Sequence, residues 1–523
     1  SAITQWLQNS STSPITKQPM SLSSLVPNIA LRDTISSFLL LNPGATNLTK
    51  KTTLNLDSYA TRFIDVQTQM IGNSQLFVRL SPNEQPKRKP SVFIFVIDVS
   101  GSMNTEASIE TKGESDGFTR LDLVKHSVRT VIEVLNEFDS ICLITFSDDA
   151  KVVLEITQCN EFGKTRAIQV LSNIKTEGMT NIWDGLRVAL QNVEKVTDPN
   201  VNISVVLLTD GEPNQNPPRG IVSTLSSAIE SKKINQVFTI NTFGYGYSLD
   251  SKLLTDISAC GAGSYGYIPD STMVGTIFVN YLSNVLATYV SNASVVFTCD
   301  DPNVTISSKF TGNQIGSIIF DQPRELIYNV YGLSKPTNVK MELKVSNEQT
   351  ITNEFTICPN TYYLDSSHIP TTIRYKIMET IYTSIEHIEK TKNIEETCLI
   401  VKKFYENINK TLDQNLNKQD LEKVEGFLQD YWPSQTHNGG QIECAFSRSD
   451  WFNKWGKHFL RSIMNGYLNQ QCNNFKDPGV QNFAGNLFNS IRQIADEAFC
   501  MIPAPKPTKL LYSYNSYNSY NAY

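Results

Sequence analysis

Two stretches break the ordinary mixing of apolar and polar residues along this chain. Val92-Phe93-Ile94-Phe95-Val96-Ile97 is one and Val205-Val206-Leu207-Leu208 is the other. Unalternating runs of β-branched, aromatic and leucine residues predict strands buried on both faces, as at the centre of a parallel sheet. Residues 120–137 show helical period instead, with Leu121, Val124, Val128, Val131, Ile132 and Leu135 on one face. Residues 141–146 and 152–156 predict a hairpin around Asp148-Asp149, residues that form turns. Further strands are expected at 204–208 and 237–243, and a last helix over 272–290. This alternation of strand and helix predicts a doubly wound α/β domain over 91–291.

The flanks follow other periods. Phe63–Met70 and Ser74–Leu80 each alternate, with Gly72-Asn73 between them, which predicts an antiparallel hairpin. A lone hairpin is unstable, and 294–299, 316–320, 326–331, 340–345 and 353–358 can supply more strands. A β-sandwich is therefore expected from 42–90 and 292–360, interrupted by the α/β domain. From 361 to 502 the period is helical. Ile373, Ile377, Ile381, Ile385 and Ile388 form one stripe, Leu399, Val401, Phe404, Tyr405 and Ile408 another, and 421–432 continues the series as a bundle. Residues 503–523 end in a Tyr/Asn/Ser repeat that cannot bury a core, is expected to be disordered alone, and is able to order against another chain.

Composition narrows the classes. With 523 residues the chain is several domains, and its net charge of −6 lacks the basic face a nucleic-acid binder needs. The one tight basic cluster, Lys87-Arg88-Lys89, lies between two prolines and reads as a solvated linker. Nine singly spaced cysteines with no Cys-x-x-Cys argue against a zinc site or disulfide framework and for a reducing, intracellular, cytoplasmic setting. No apolar stretch reaches the length of a membrane span, and nothing reads as a secretory signal. Tyr245, Tyr247, Tyr265 and Tyr267 alternate with glycines; surface tyrosines on loops are the reading adopted, a binding face the other. Cys472, His458 and Cys444 have no orienting acid placed beside them, so no catalytic side chain is assigned.

The chemistry sits where the buried runs end. Asp98, Ser100 and Ser102 follow the first at i, i+2 and i+4, and Asp210 with a turn glycine follows the second. Thr180 lies on a loop just before a helix. Polar residues at the carboxyl ends of such strands are where open α/β sheets place ligands. Hard oxygen donors without Cys or His suit Mg²⁺, with Ca²⁺ or Mn²⁺ as alternatives.

In these residues the chain resembles the von Willebrand factor type A family, whose metal-ion-dependent adhesion site is written Asp-x-Ser-x-Ser, then Thr, then Asp. The resemblance implies direct coordination by Ser100, Ser102 and often Thr180, with Asp98 and Asp210 acting largely through water. It leaves one position for a carboxylate from a protein partner. Residues 1–41, with Trp6, the Ser13-Pro14-Ile15-Thr16 loop, Pro27-Asn28 and a following helix, resemble the carboxyl-terminal half of a U-box. That implies recruitment of a ubiquitin-conjugating enzyme, with Trp6 and Pro14 on its surface and Lys17 where many U-boxes carry a bridging Arg. Lysine lacks the guanidinium fork for that bridge. The first half of the module does not precede Ser1 here, so either the numbering starts inside a longer polypeptide or the module is a remnant. The block after residue 439 resembles the helical segment that follows type A domains in U-box, RING or Hint proteins. Two functions follow: a U-box ubiquitin ligase whose metal site captures a target, or a non-enzymatic adhesion component that self-assembles through its tail.

Overall fold

The computed structural model describes residues 64–503, except 83–87, 108–116, 232–233, 235, 346–348, 360–366, 412–415, 433–439 and 475–476, and the side chains of 409–411. Trp6, Pro14, Lys17 and the tyrosine repeat lie outside the described residues. The chain enters through β1 (Ile64–Ile71) and β2 (Gln75–Pro82), an antiparallel hairpin. It then leaves for a six-stranded sheet made of β3 (Ser91–Asp98), β4 (Ser140–Phe146), β5 (Ala150–Gln158), β6 (Asn202–Thr209), β7 (Phe238–Tyr245) and β8 (Ala262–Ile268). The strand order is 5-4-3-6-7-8, with only β5 antiparallel.

The unalternating run of β3 is explained by its two covered faces. Phe93, Phe95 and Ile97 pack in one core with helices α1 (Arg120–Val134), α2 (Glu161–Asn173) and α6 (Ser271–Leu286). Val92, Ile94 and Val96 pack in the other with α3 (Ile182–Glu194), α4 (Ile221–Glu230) and α5 (Ser251–Cys260). Burying each such side chain contributes roughly 1.5–3 kcal/mol, so this strand anchors everything at its carboxyl end. α1 starts on a capping box, Thr119 accepting from the Asp122 backbone N–H while Asp122 accepts from the Thr119 N–H.

Helix α6 stops at Leu286, four residues short of the expected end, because the chain turns at Ala287 straight into β9 (Thr288–Cys299). There the sandwich resumes with β10 (Thr305–Ser307), β11 (Gln314–Ile319), β12 (Arg324–Tyr331), β13 (Thr337–Lys344) and β14 (Thr350–Ile357). Its sheets run β1-β2-β12-β10 and β11-β9-β13-β14. The doubly wound domain is thus inserted between two strands of a sandwich, and a helical region follows: α7 (Ile369–Thr391), α8 (Ile394–Thr411), α9 (Lys418–Tyr431), α10 (Gln441–Ser447), α11 (Lys457–Asn469) and α12 (Asn486–Met501). The isoleucine stripe of α7 is buried. In α8 Val401 and Ile408 are buried, but Leu399 is exposed and drops out of its expected stripe.

Two other expectations are corrected. Arg88 is not a solvated linker residue: its guanidinium grips both oxygens of the fully buried Asp139, Nη1 to Oδ1 at 2.7 Å and Nη2 to Oδ2. Asp139 also accepts from the Ser91 N–H at 2.9 Å, pinning the start of β3. Tyr245, Tyr265 and Tyr267 are neither loop residues nor a binding face, for they are buried within β7 and β8. The glycines between them make room for neighbours, since a Cβ at Gly266 would lie 2.6 Å from the Phe243 ring. The outer edge of β8 is sealed by α11, with Tyr265 N–H donating to Asn465 at 3.1 Å and Tyr267 N–H to Ser462 at 3.3 Å. His458 on α11 meets the Tyr247 carbonyl at 3.2 Å, and burial holds its imidazole down at about 4. Cys472 is buried as well, its thiol pushed up to about 12, so neither is poised for nucleophilic work.

Candidate metal centre

β3 and β6 are neighbours in register, Ile97 opposite Leu208, so Asp98 and Asp210 emerge side by side at the carboxyl end of the sheet. Chain order reverses between these strands, β4 lying on the far side of β3, which opens a crevice there. The chain beyond Asp98 makes a single 3₁₀ turn, Gly101–Asn104, held down by the buried Met103. That turn brings Ser100 Oγ and Ser102 Oγ to 3.0 Å from each other. Ser102 donates to Asp210 Oδ1 at 2.7 Å, joining the first loop to the second.

Thr180 completes the group from a third loop. Its backbone N–H donates to Asn214 Oδ1 at 3.1 Å, and its carbonyl accepts from Asn214 N–H at 3.0 Å, tying it to the loop after β6. The Gly101 N–H donates to the Gly178 carbonyl at 3.2 Å, tying it to the first loop. A Cβ built on Gly211 would sit 3.7 Å from Ser102 Oγ and 3.9 Å from Thr180 Oγ1, at ordinary contact distance, so both hydroxyls lie beside the turn that follows Asp210. All five residues singled out in the sequence, Asp98, Ser100, Ser102, Thr180 and Asp210, therefore meet at one end of one sheet.

The two carboxylates are held differently. Asp98 is fully buried and accepts from the Ser100 N–H at 2.8 Å and from the Thr209 hydroxyl at 2.5 Å. Burial pushes its carboxyl up to about 6, against the pull of those hydrogen bonds and aided by the charge of Asp210. Asp210 spends Oδ1 on Ser102 and Oδ2 on the guanidinium of Arg120, 2.5 Å away. Thr209 and Arg120 are the two participants that sequence reasoning missed. Thr209 stands beside Asp210, and the box Thr119-x-x-Asp122 marks where the helix begins, but neither says which way Arg120 reaches.

Chemically, the arrangement offers hydroxyl oxygens with free lone pairs, backed by two anions. Those hard donors fit Mg²⁺, and Ca²⁺ or Mn²⁺ less selectively. Ser100, Ser102 and Thr180 would hold such a cation, which would supply a Lewis-acidic point for an anionic ligand. Among the described residues no cluster of three His, Cys, Asp or Glu side chains forms a second candidate cage.

Comparison with known families matches three segments of the chain. Residues 93–278 match the von Willebrand factor type A (VWA) domain, residues 1–43 the U-box domain, and residues 406–497 the Vwaint model, described as VWA / Hh protein intein-like. These three matches are consistent with a U-box/VWA multidomain family. An uncharacterized protein of Synechocystis is 24% identical over 277 residues, 49% of this chain and 61% of its own length. A probable E3 ubiquitin-protein ligase of Arabidopsis thaliana, WAVH2, is 29% identical over 103 residues, 19% of this chain and 14% of the relative. Among solved structures, a von Willebrand factor type A protein from Catenulispora acidiphila aligns with a TM-score of 0.54 at 13% identity, covering 76% of this chain and 98% of that one. That likeness is one of fold. Among the described residues, no helix is long and apolar enough to cross a membrane.

Proposed function

We propose that the VWA domain captures a protein ligand through a divalent cation held by Ser100, Ser102 and Thr180, with Asp98 and Asp210 acting from behind. Mg²⁺ is the preferred ion. The partner offers a carboxylate to the cation's open face. The observation that carries this reading is the convergence of five oxygen-bearing side chains from three cross-laced loops at one end of the central sheet. The U-box match supports recruitment of a ubiquitin-conjugating enzyme, and the plant relative's name supports a ligase in which positioning replaces a catalytic side chain. Nine free thiols support work in a reducing, intracellular compartment.

Calorimetric titration of Mg²⁺ should give saturable binding to one site, lost in Asp98→Asn. No heat and no rise in melting temperature with the unmodified protein would end the metal reading. For the ligase half, the U-box-bearing protein should speed loss of ubiquitin from a charged conjugating enzyme. Unchanged discharge across a panel of such enzymes would end that half and leave the binding role alone.

A further inference from the structure

Arg120 sits where helix physics argues against it. It is the first residue of α1, at the positive end of the helix dipole, where acids are favoured and cations are not. Its guanidinium nevertheless reaches Asp210, which is 1% exposed, and does so at 2.5 Å. Space for it is made by one residue. Gly246, at φ +82°, lies flat against the guanidinium, and a Cβ there would come within 2.9 Å of Nη2, 3.0 Å of Cζ and 3.1 Å of Nε. The Gly246 N–H is fixed in turn by the Ile268 carbonyl at 2.8 Å. A cation set against the helix dipole, on a backbone that admits only glycine, is a local rule broken in the manner of functional sites.

Resting on the cation-binding reading above, we propose that Arg120 is a tethered counter-cation of this site: it weakens binding of the free divalent ion and makes the loaded site demand an anionic ligand. The argument is one of charge. Asp98 and Asp210 with Arg120 leave the site one negative charge in total, and a divalent ion takes it to one positive. A partner carboxylate then brings it to neutrality. Without Arg120 the loaded site would already be neutral, and a carboxylate would gain little by entering. Arg120 also occupies the Asp210 oxygen that Ser102 does not, which keeps that carboxylate from swinging in as a direct ligand. The two effects have opposite signs, which makes the idea easy to break.

The test uses Mn²⁺ as the cation and acetate as the carboxylate, followed by water-proton relaxation, which falls when acetate displaces water from bound Mn²⁺. In Arg120→Gln, Mn²⁺ should bind tighter by on the order of tenfold, while acetate binds the Mn²⁺-loaded protein several-fold more weakly. Arg120→Met, which keeps the packed stem, should repeat both shifts and covers a glutamine variant that fails to fold. Arg120→Lys should return both values toward those of the unmodified protein. Unchanged Mn²⁺ affinity, weaker Mn²⁺ binding, or both affinities moving the same way would overturn the role of Arg120. Failure of the unmodified protein to bind Mn²⁺ at all would instead strike the cation-binding reading itself.

Discussion

Among the described residues, two places bury a pair of carboxylic acids, and they are built differently. Asp98 and Asp210 lie at the carboxyl end of the central sheet; Asp430 and Asp477 lie within the helical region. At the second pair Asp430 is closed in by its described neighbours. Asp430 accepts from the Tyr467 hydroxyl at 2.7 Å and the Gly479 N–H at 3.0 Å, and a Cβ on Gly479 would fall 2.5 Å from Asp430 Oδ2. At the first pair three hydroxyl oxygens still have acceptor capacity, and a Cβ on Gly211 would meet nothing nearer than 3.7 Å. Burial of acids does not by itself mark a functional site. What sets the first pair apart is the set of Ser and Thr hydroxyls gathered beside it.

The contrast can be broken most forcefully at its glycines. Gly479→Ala should overpack the closed pair and cost about 3 kcal/mol, read as a fall of several degrees in melting temperature. Next comes the open pair: at a hundredfold excess over its dissociation constant, Mg²⁺ should stabilise the protein by about 2.7 kcal/mol. Asp98→Asn should erase that gain and Asp430→Asn leave it intact. A smaller effect is expected from pH. Burial and the charge of Asp477 raise the Asp430 carboxyl well above its ordinary range. A raised folded-state value gives stability that is full below the unfolded value near 4 and lost as pH rises through the folded one. Melting temperature should thus climb on acidification from pH 8 to 5 more steeply in the unmodified protein than in Asp430→Asn, and equal slopes would refute the assignment. Smallest of all, Gly211→Ala should cost under about 1 kcal/mol, as measured by the shift in melting temperature.

What could be read from the chain beforehand follows the range of the interactions concerned. Asp98, Ser100, Ser102 and Asp210 were legible because each closes a buried run, so the strand's end and the donor's place are one local fact. Arg120 was not, because its reach to Asp210 spans 90 positions and runs against helix-end preference. The Gly-Tyr alternation of β8 misled for a related reason. Its glycines look like turns in one dimension, but here they are spaces for Phe243 and Ile240 of the neighbouring strand. Arg88 likewise had no local sign of its partner, Asp139, which lies 51 residues on. The division into inserted α/β layer, sandwich and helices was readable from period alone, since each layer buries its faces differently.

The chain passes from the sandwich to the α/β layer after β2 and returns through β9, and each is an interior strand of its own sheet. The first junction is clasped by Arg88 and Asp139. The second is clasped by Asn202, which donates to the Thr288 carbonyl at 3.2 Å and accepts from the Ser291 hydroxyl at 3.0 Å. The two crossings therefore gather at the amino-terminal edge of the central sheet, where β3 and β6 begin, opposite the loops that carry Ser100 and Thr180.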